Sequence, residues 1–462
     1  LKRETGQKKI EETQKPSVRA TASQVVDEVL SSNKKLKECV DRKAKYFEDE
    51  RDRALLKEIC YGVLRNLPLI DFSIDLFLKN EIKDFDKVGL SIMRVGSYQI
   101  LFLDRIPVYA VVNECVNSAK ILKKEPLTGV VNTILRKIAL NKEEILQIPY
   151  KKPYEESLSD KYGMPLWLVK RYLKRFGDFE SEKILDSFNK ESETSIVFFK
   201  MEDYLDSKQI LDREKFQLEE NDLFELTYIV KGKDITKSET FEKGVFYVCD
   251  PASQIPAKSL PLKENSFSLD PCAAPGTKTI IISKNLKKNS FLVSSDFSKW
   301  RVKRLIENKG KYNLKNVFLV YGDILNSLPF KDKFYSILLD APCTSLGTLK
   351  KNPEIRWQID EERIKKESKR QLEMIFNVSK CVEKGGFLLY SVCSIEKEET
   401  LDVVENFLKE NKDFEKAKLE IDEKFKTAFT LIDKGTLMVK PYQHKGDAFF
   451  ISLLRRKVGK KD

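Results

Sequence analysis

Four short apolar runs in the second half of the chain, FSLD, FLVSSD, VFLVYGD and YSILLD, each end in an aspartate: Asp270, Asp296, Asp323 and Asp340. Helix-like segments separate them. Continuous apolar runs without alternation are what strands covered on both faces of a parallel sheet require. The region from residue 246 onward is therefore constrained to an open α/β sheet. In such a sheet the carboxyl ends of the strands border the ligand crevice. One terminal aspartate is an ordinary helix cap; four in register indicate a site.

Upstream the pattern is helical. ATASQVVDEVL puts Ala22, Val25, Val26 and Val29 on one face, and RALLKEICYGVLRNL continues with Leu55, Ile59, Val63 and Leu67. Through TGVVNTILRKIAL, residues 18–142 read as an all-α domain of five to seven helices. Residues 143–165, with Pro149, Pro153 and Pro165, are expected to form a linker. Residues 166–245, where LWLVKRYLKRFG precedes TSIVFFK and LFELTYIV, are expected to form a small α+β connector. The α/β domain then spans 246–457, with a flexible basic lead at 1–17 and a basic tail at 458–462. A chain of 462 residues is long enough for several such cores.

A formal charge of +12 favours a polyanion as partner. No apolar run reaches the roughly 18 residues of a membrane span. The opening LKRETGQKKIEETQKPSV lacks the apolar core of a secretion signal, so a cytoplasmic protein is expected. Eight cysteines form no CxxC pair and His444 is the single histidine, so no metal site is expected. The same scarcity excludes most Ser–His and Cys–His triads.

DPCAAPGTK follows the first strand and opens a helix. It is neither GxGxxG nor a phosphate-binding GxxxxGK[ST] loop, which disfavours a dehydrogenase or an NTPase. Its small residues, Ala273, Ala274 and Gly276, let a ligand approach the backbone, and Pro275 stiffens the turn. Asp296 lies 20 residues after Gly276, where nucleotide folds keep a ribose-binding carboxylate. Asp323 is placed toward an adenine. An adenosine ligand without pyrophosphate points to S-adenosyl-L-methionine, with Cys272, Ala273, Ala274, Pro275, Gly276, Thr277, Lys278, Asp296, Arg301, Asp323 and Asp340 as candidate binding residues.

Two cysteines stand just past strand-like runs, Cys343 in ILLDAPCTSLG and Cys393 in GGFLLYSVCSIEKEE, 50 residues apart. A cysteine thiolate is well suited to attack an electron-poor ring carbon near neutral pH. Their matching positions suggest one site with two sulfur roles.

DPCAAPGTK, DAPCTSLGTLKKNPEIRW and YSVCSIEKEE resemble the motif set of the RNA cytosine-C5 methyltransferases of the Sun/Fmu (RsmB) type. ERDRALLKEICYGVLR, RVGSYQILFLDRIPVYAVVNECVNSAK and GVVNTILRK resemble the NusB-like domain of that branch, and PYQHKGDAFFISLLRR its last strands. The resemblance implies a NusB-like helical RNA-binding domain, a connector and a Rossmann-type methyltransferase domain. It implies methyl transfer from S-adenosyl-L-methionine to C5 of a cytosine in 16S rRNA, position 967 in the standard rRNA numbering. It further implies Cys393 as the nucleophile and Cys343 as the residue that assists product release. Asp340 would contact the N3/N4 edge of the base, with Lys278 positioning that carboxylate or the ring. The partner would be 16S rRNA or an early small-subunit particle, met by a monomer.

Departures from the family pattern are Thr277 and Ser345 where glycine is usual, Lys350-Lys351 for an arginine pair, and Val392 for threonine. Three other readings compete. DNA cytosine methyltransferases use a Pro-Cys nucleophile, which would give Cys343 that role. Another RNA could be the substrate, or the chain could be a non-catalytic RNA-binding assembly factor. Candidate backbone-holding stretches are 299–311, Lys350-Lys351 with Arg356, and 363–370.

Overall fold

The computed structural model describes residues 17–79, 81–232, 234–326, 329–330, 333–444 and 446–459. The expected basic lead therefore lies outside the described residues except for Ser17, as does most of the basic tail. Ser17 is part of the fold: it caps the first helix, Val18–Ser32, its hydroxyl accepting the amide of Ala20 at 3.3 Å. Asp49 and Asp86 cap the helices Glu50–Arg65 and Lys87–Phe102 in the same manner. The chain separates into two compact units.

The first unit is helical and runs through Ser181. Its core gathers Val25, Val29, Leu56, Val63, Ile92, Met93, Val111 and Leu135 around the helix Lys87–Phe102, which is buried on nearly all sides. The expected linker is folded. Lys142–Gln147 and Tyr154–Tyr162 are helices, and Ile145, Leu158 and Tyr162 are buried. Proline there starts helices: Pro153 stands at the N-cap of the second, a position that needs no amide donor.

A segment distant in sequence completes this unit. Asn352–Gln358, just downstream of the Cys343 motif, packs among the helices. Trp357 donates its indole N–H to the carbonyl of Leu64 at 2.8 Å, and Arg356 donates to the carbonyl of Gly163 at 2.8 Å. Glu354 accepts the amide of Leu36 at 3.1 Å. Trp357→Ala removes both the ring and the donor, so thermal melting is expected to show a loss of about 3 kcal/mol.

The second unit begins at Glu182 and holds two sheets. The small one is antiparallel, ordered β2-β3-β1-β4, from β1 (Thr194–Phe198), β2 (Gln217–Glu220), β3 (Thr227–Lys231) and β4 (Phe246–Val248). Phe198, Leu211, Tyr228 and Phe246 form its core. The connector thus reaches past residue 245. It also shares its first helical stretch, Leu166–Asn189, with the helical unit; Gly177, at φ 72°, breaks that helix.

The large sheet contains β5 (Phe267–Asp270), β6 (Phe291–Asp296), β7 (Val317–Tyr321), β8 (Phe334–Asp340) and β9 (Val382–Val392), all in parallel pairs. Then come β10 (Phe414–Lys416), β11 (Thr430–Asp433), β12 (Thr436–Val439) and β13 (Phe449–Arg456), paired antiparallel. The order is β11-β12-β13-β9-β8-β5-β6-β7, with β10 on β13. Between β5 and β8 the connection reverses direction, which opens a crevice at their carboxyl ends. Asp270, Asp296 and Asp340 close their strands as the pattern predicts. Asp323 stands two residues beyond β7.

Candidate active site

The turn after β5 is built to bring backbone close to a ligand. Gly276 sits at φ 111° and a Cβ there would come within 2.8 Å of Leu305, so the turn demands glycine. The fully buried Asp296 organises the turn from β6. It accepts the amides of Ala274 at 3.3 Å and Ser298 at 3.0 Å and pairs with Arg301 at 3.5 Å. Arg301 also donates to the carbonyl of Ala274 at 2.6 Å, and Asn308 to that of Pro275 at 2.7 Å. Asp270, buried beneath, accepts the hydroxyl of Thr279 at 2.8 Å; burial raises its carboxyl to about 7.

Beside this turn lies a cleft lined by Pro271, Cys272, Asp296, Phe297, Ile324 and Met374, with Pro342 at its inner wall. Apolar faces and one buried carboxylate suit an adenosine: Phe297, Ile324 and Met374 for the base, Asp296 for ribose hydroxyls. Cys272 lines this cleft, and burial pushes its thiol up. Asp323 flanks the cleft between Gly322 and Ile324, and its carboxylate accepts the amide of Leu325 at 3.0 Å.

At the ends of β8 and β9 the two candidate sulfurs meet. Sγ of Cys343 and Sγ of Cys393 are 3.3 Å apart, both cysteines free and partly exposed. The hydrogen bond with Cys393, together with burial, raises the Cys343 thiol well above its ordinary value. Asp340 is held from two sides, by Lys278 Nζ at 2.7 Å and by the hydroxyl of Ser391 at 2.8 Å. Burial works against the charge on Lys278, but the adjacent Asp340 outweighs it and keeps the ammonium proton above its usual range. Lys278 also faces the ring of Phe449 at 5.1 Å.

Several site features escape sequence reasoning. Ser345 adopts φ 61°, left-handed backbone that glycine takes freely, which accounts for the family's glycine at this position. Its hydroxyl lies 3.7 Å from Cys393 and 4.0 Å from Cys343. Glu399, fully buried, receives bonds from both cysteine-bearing turns. The signal was present in SIEKEE, but a run of glutamates reads as solvated surface.

Two expected backbone-holding groups are spent elsewhere. Lys351 is bound by Asp250 and by Asp447, the latter at 2.8 Å, and Arg356 is fully buried in the helical unit. Neither is available to a phosphate. By contrast, the helix Lys299–Lys311 exposes Trp300 with Arg304 stacked on it at 4.6 Å. No helix among the described residues is long and apolar enough to cross a membrane.

Comparison with known proteins agrees with this geometry. Residues 257–455 match the family described as 16S rRNA methyltransferase RsmB/F, and residues 16–140 match the NusB family. Ribosomal RNA small subunit methyltransferase B of Shewanella oneidensis is 29% identical over 448 residues, covering 95% of this chain and 99% of the relative. The probable ribosomal RNA small subunit methyltransferase B of Bacillus subtilis is 27% identical, covering 88% and 91%. The crystal structure of PH0851 aligns over 95% of this chain and 99% of its own, with a TM-score of 0.80 and 25% identity. NSun6 from Pyrococcus horikoshii, solved with the S-adenosylmethionine analogue SFG, shares the fold over 63% of this chain and 97% of its own, at a TM-score of 0.54 and 20% identity. With residues 16–140 similar to the NusB family and residues 257–455 to the RsmB/F methyltransferases, and with these relatives over most of its length, this chain is an RNA methyltransferase dependent on S-adenosyl-L-methionine.

Proposed function

We propose that the chain methylates C5 of a cytosine in 16S rRNA, position 967, through a covalent bond between Cys393 and C6 of the base. The observation that carries this reading is the 3.3 Å contact between the two sulfurs beside the Asp340–Lys278 pair. S-adenosyl-L-methionine, held by the Ala273–Gly276 turn, Asp296 and the walls of the cleft, supplies an electrophilic methyl group.

Cytosine C5 is a poor nucleophile until something adds at C6. The Cys393 thiolate forms the S–C6 bond and pushes electron density toward C5. Asp340, steadied by Lys278 and Ser391, meets the N3/N4 edge of the base and favours a proton on N3 as the ring gains charge. The positive charge of Lys278 also interacts favourably with a thiolate at Cys393. Cys343 assists the last stage, in which the C5 proton passes to water, its bonding pair closes the C5–C6 double bond, the S–C6 bond breaks and that electron pair returns to the Cys393 sulfur. The target base must leave its stack to reach these groups, at a cost of a few kcal/mol.

The relatives named for the small ribosomal subunit support 16S rRNA, free or in an early particle, as the partner. Bisulfite sequencing of rRNA from cells lacking the protein is expected to show complete loss of protection at cytosine 967, restored by the wild-type gene. Retained protection there would overturn the assignment of the nucleotide. Calorimetric titration with S-adenosyl-L-methionine tests the cleft separately: Asp296→Ala is expected to weaken binding at least roughly 30-fold, since it removes the acceptor for ribose and unties the turn.

A further inference from the structure

Glu399 is fully buried, and no step of the reaction above uses it. Its carboxylate accepts four hydrogen bonds. Oε1 takes the backbone N–H of Thr344 at 2.8 Å and the amide of Gln371 at 3.1 Å. Oε2 takes the hydroxyls of Thr344 and Ser394, both at 2.6 Å. Thr344 follows Cys343 and Ser394 follows Cys393, so a single carboxylate grips the neighbour of each sulfur.

Further bonds extend the grip. The Gln371 amide also donates to the carbonyl of Pro342 at 2.9 Å, on the other side of Cys343. The Tyr390 hydroxyl, from β9, donates to the backbone carbonyl of Glu399 at 2.7 Å. Four donors satisfy about all the positions that a carboxylate offers. Burial raises the Glu399 carboxyl above its ordinary value while these bonds work to lower it, since a charge so deeply buried is costly unless fully paired.

We propose that Glu399 is a positioning residue that fastens the two cysteine turns into one rigid pair. A charge on its carboxyl, behind the turn, would also disfavour a second negative charge on Cys343. The proposal rests on the roles given to the sulfurs above. Cys343 is faced by Cys393 at 3.3 Å, by the hydroxyl of Ser345 at 4.0 Å and, behind the turn, by the carboxyl of Glu399. Tyr390 and Asp340 lie on the two strands that lead to the sulfurs. The ammonium of Lys278 is committed to Asp340. A carboxyl thus stands behind Cys343, and the site's cation interacts with Cys393.

The test follows iodoacetamide alkylation of Cys343 against pH in the full-length protein, read by mass spectrometry, alongside methyl-transfer kinetics. Glu399→Gln keeps the shape, since the hydroxyls of Thr344 and Ser394 can turn to accept, and removes the charge. The midpoint for Cys343 is expected to fall by about one pH unit, with binding of S-adenosyl-L-methionine intact. Ser394→Ala keeps the charge and cuts one tie; kcat is expected to fall about tenfold, KM to hold and the Cys343 midpoint to stay. An unmoved midpoint in the first variant, or an unchanged kcat in the second, overturns the proposal, and the second decides it should the first not fold. A wrong reading of the reaction would leave the parent protein inactive on rRNA while the alkylation shift persisted, so the two failures are distinguishable.

Discussion

Alanine at Cys393 is expected to abolish methyl transfer, by at least about 10³-fold, and to leave no covalent protein–RNA complex. Alanine at Cys343 is expected to do the opposite to the complex: one methyl group is transferred, and the enzyme stays bonded to its product as a band that survives denaturing electrophoresis. The asymmetry follows from the environments of the two sulfurs. The hydrogen bond with Cys393, together with burial, raises the Cys343 thiol well above its ordinary value, which suits a role other than attack. Lys278, the nearby cation, interacts with Cys393. Because the sulfurs are only 3.3 Å apart, either could reach a ring carbon, and distance alone does not separate them. A stable complex from Cys393→Ala and none from Cys343→Ala would assign the attack to the Pro-Cys motif, as in the DNA enzymes.

The second large effect is expected from a single methyl group at Gly347. Its N–H donates to the carbonyl of Cys393 at 3.0 Å, and its carbonyl accepts the amide of Ala448 at 2.9 Å. A Cβ at this position would stand 2.7 Å from the carbonyl oxygens of both Cys393 and Ala448. Neither is the end of a flexible side chain, so backbone must move. The Cys343 turn would be pushed off the strand that carries Cys393, and misplacements of about 1 Å in an active site can cost 10²-fold in rate. Gly347→Ala is therefore expected to lower kcat by roughly that factor, while Kd for S-adenosyl-L-methionine changes little, because the Asp296 turn lies on other strands. Wild-type turnover in this variant would mean that the backbone contact does not set the sulfur pair.

What could be read from the sequence, and what could not, divides along physical lines. Buried parallel strands write themselves as apolar runs, so β5, β6 and β8 and their terminal aspartates were legible. The amphipathic period revealed the helical domain equally well. Asp323 falls two residues past the end of β7, since an apolar run such as VFLVYGD does not mark where pairing stops. The folded stretch at 143–165 was missed because proline marks helix starts as readily as loops. Glu399 was hidden by its neighbours: EKEE has the composition of a solvated surface, and only the tertiary fold turns one of these carboxylates inward. Lys351 and Arg356 misled in the reverse direction, since a positive charge in a motif reads as a hand held out to phosphate whether or not a buried partner takes it.

The short graft at Asn352–Gln358 bears on how proteins of this plan can be cut and recombined. A methyltransferase fragment starting at Glu182 would still contain Arg356 and Trp357, stripped of the carbonyls at Gly163 and Leu64 that now receive them. An exchanged helical module would have to supply the same two acceptors to a stranger's loop. Trimming or swapping at the obvious sequence boundary therefore parts Asn352–Gln358, downstream of Cys343, from the helices it packs among.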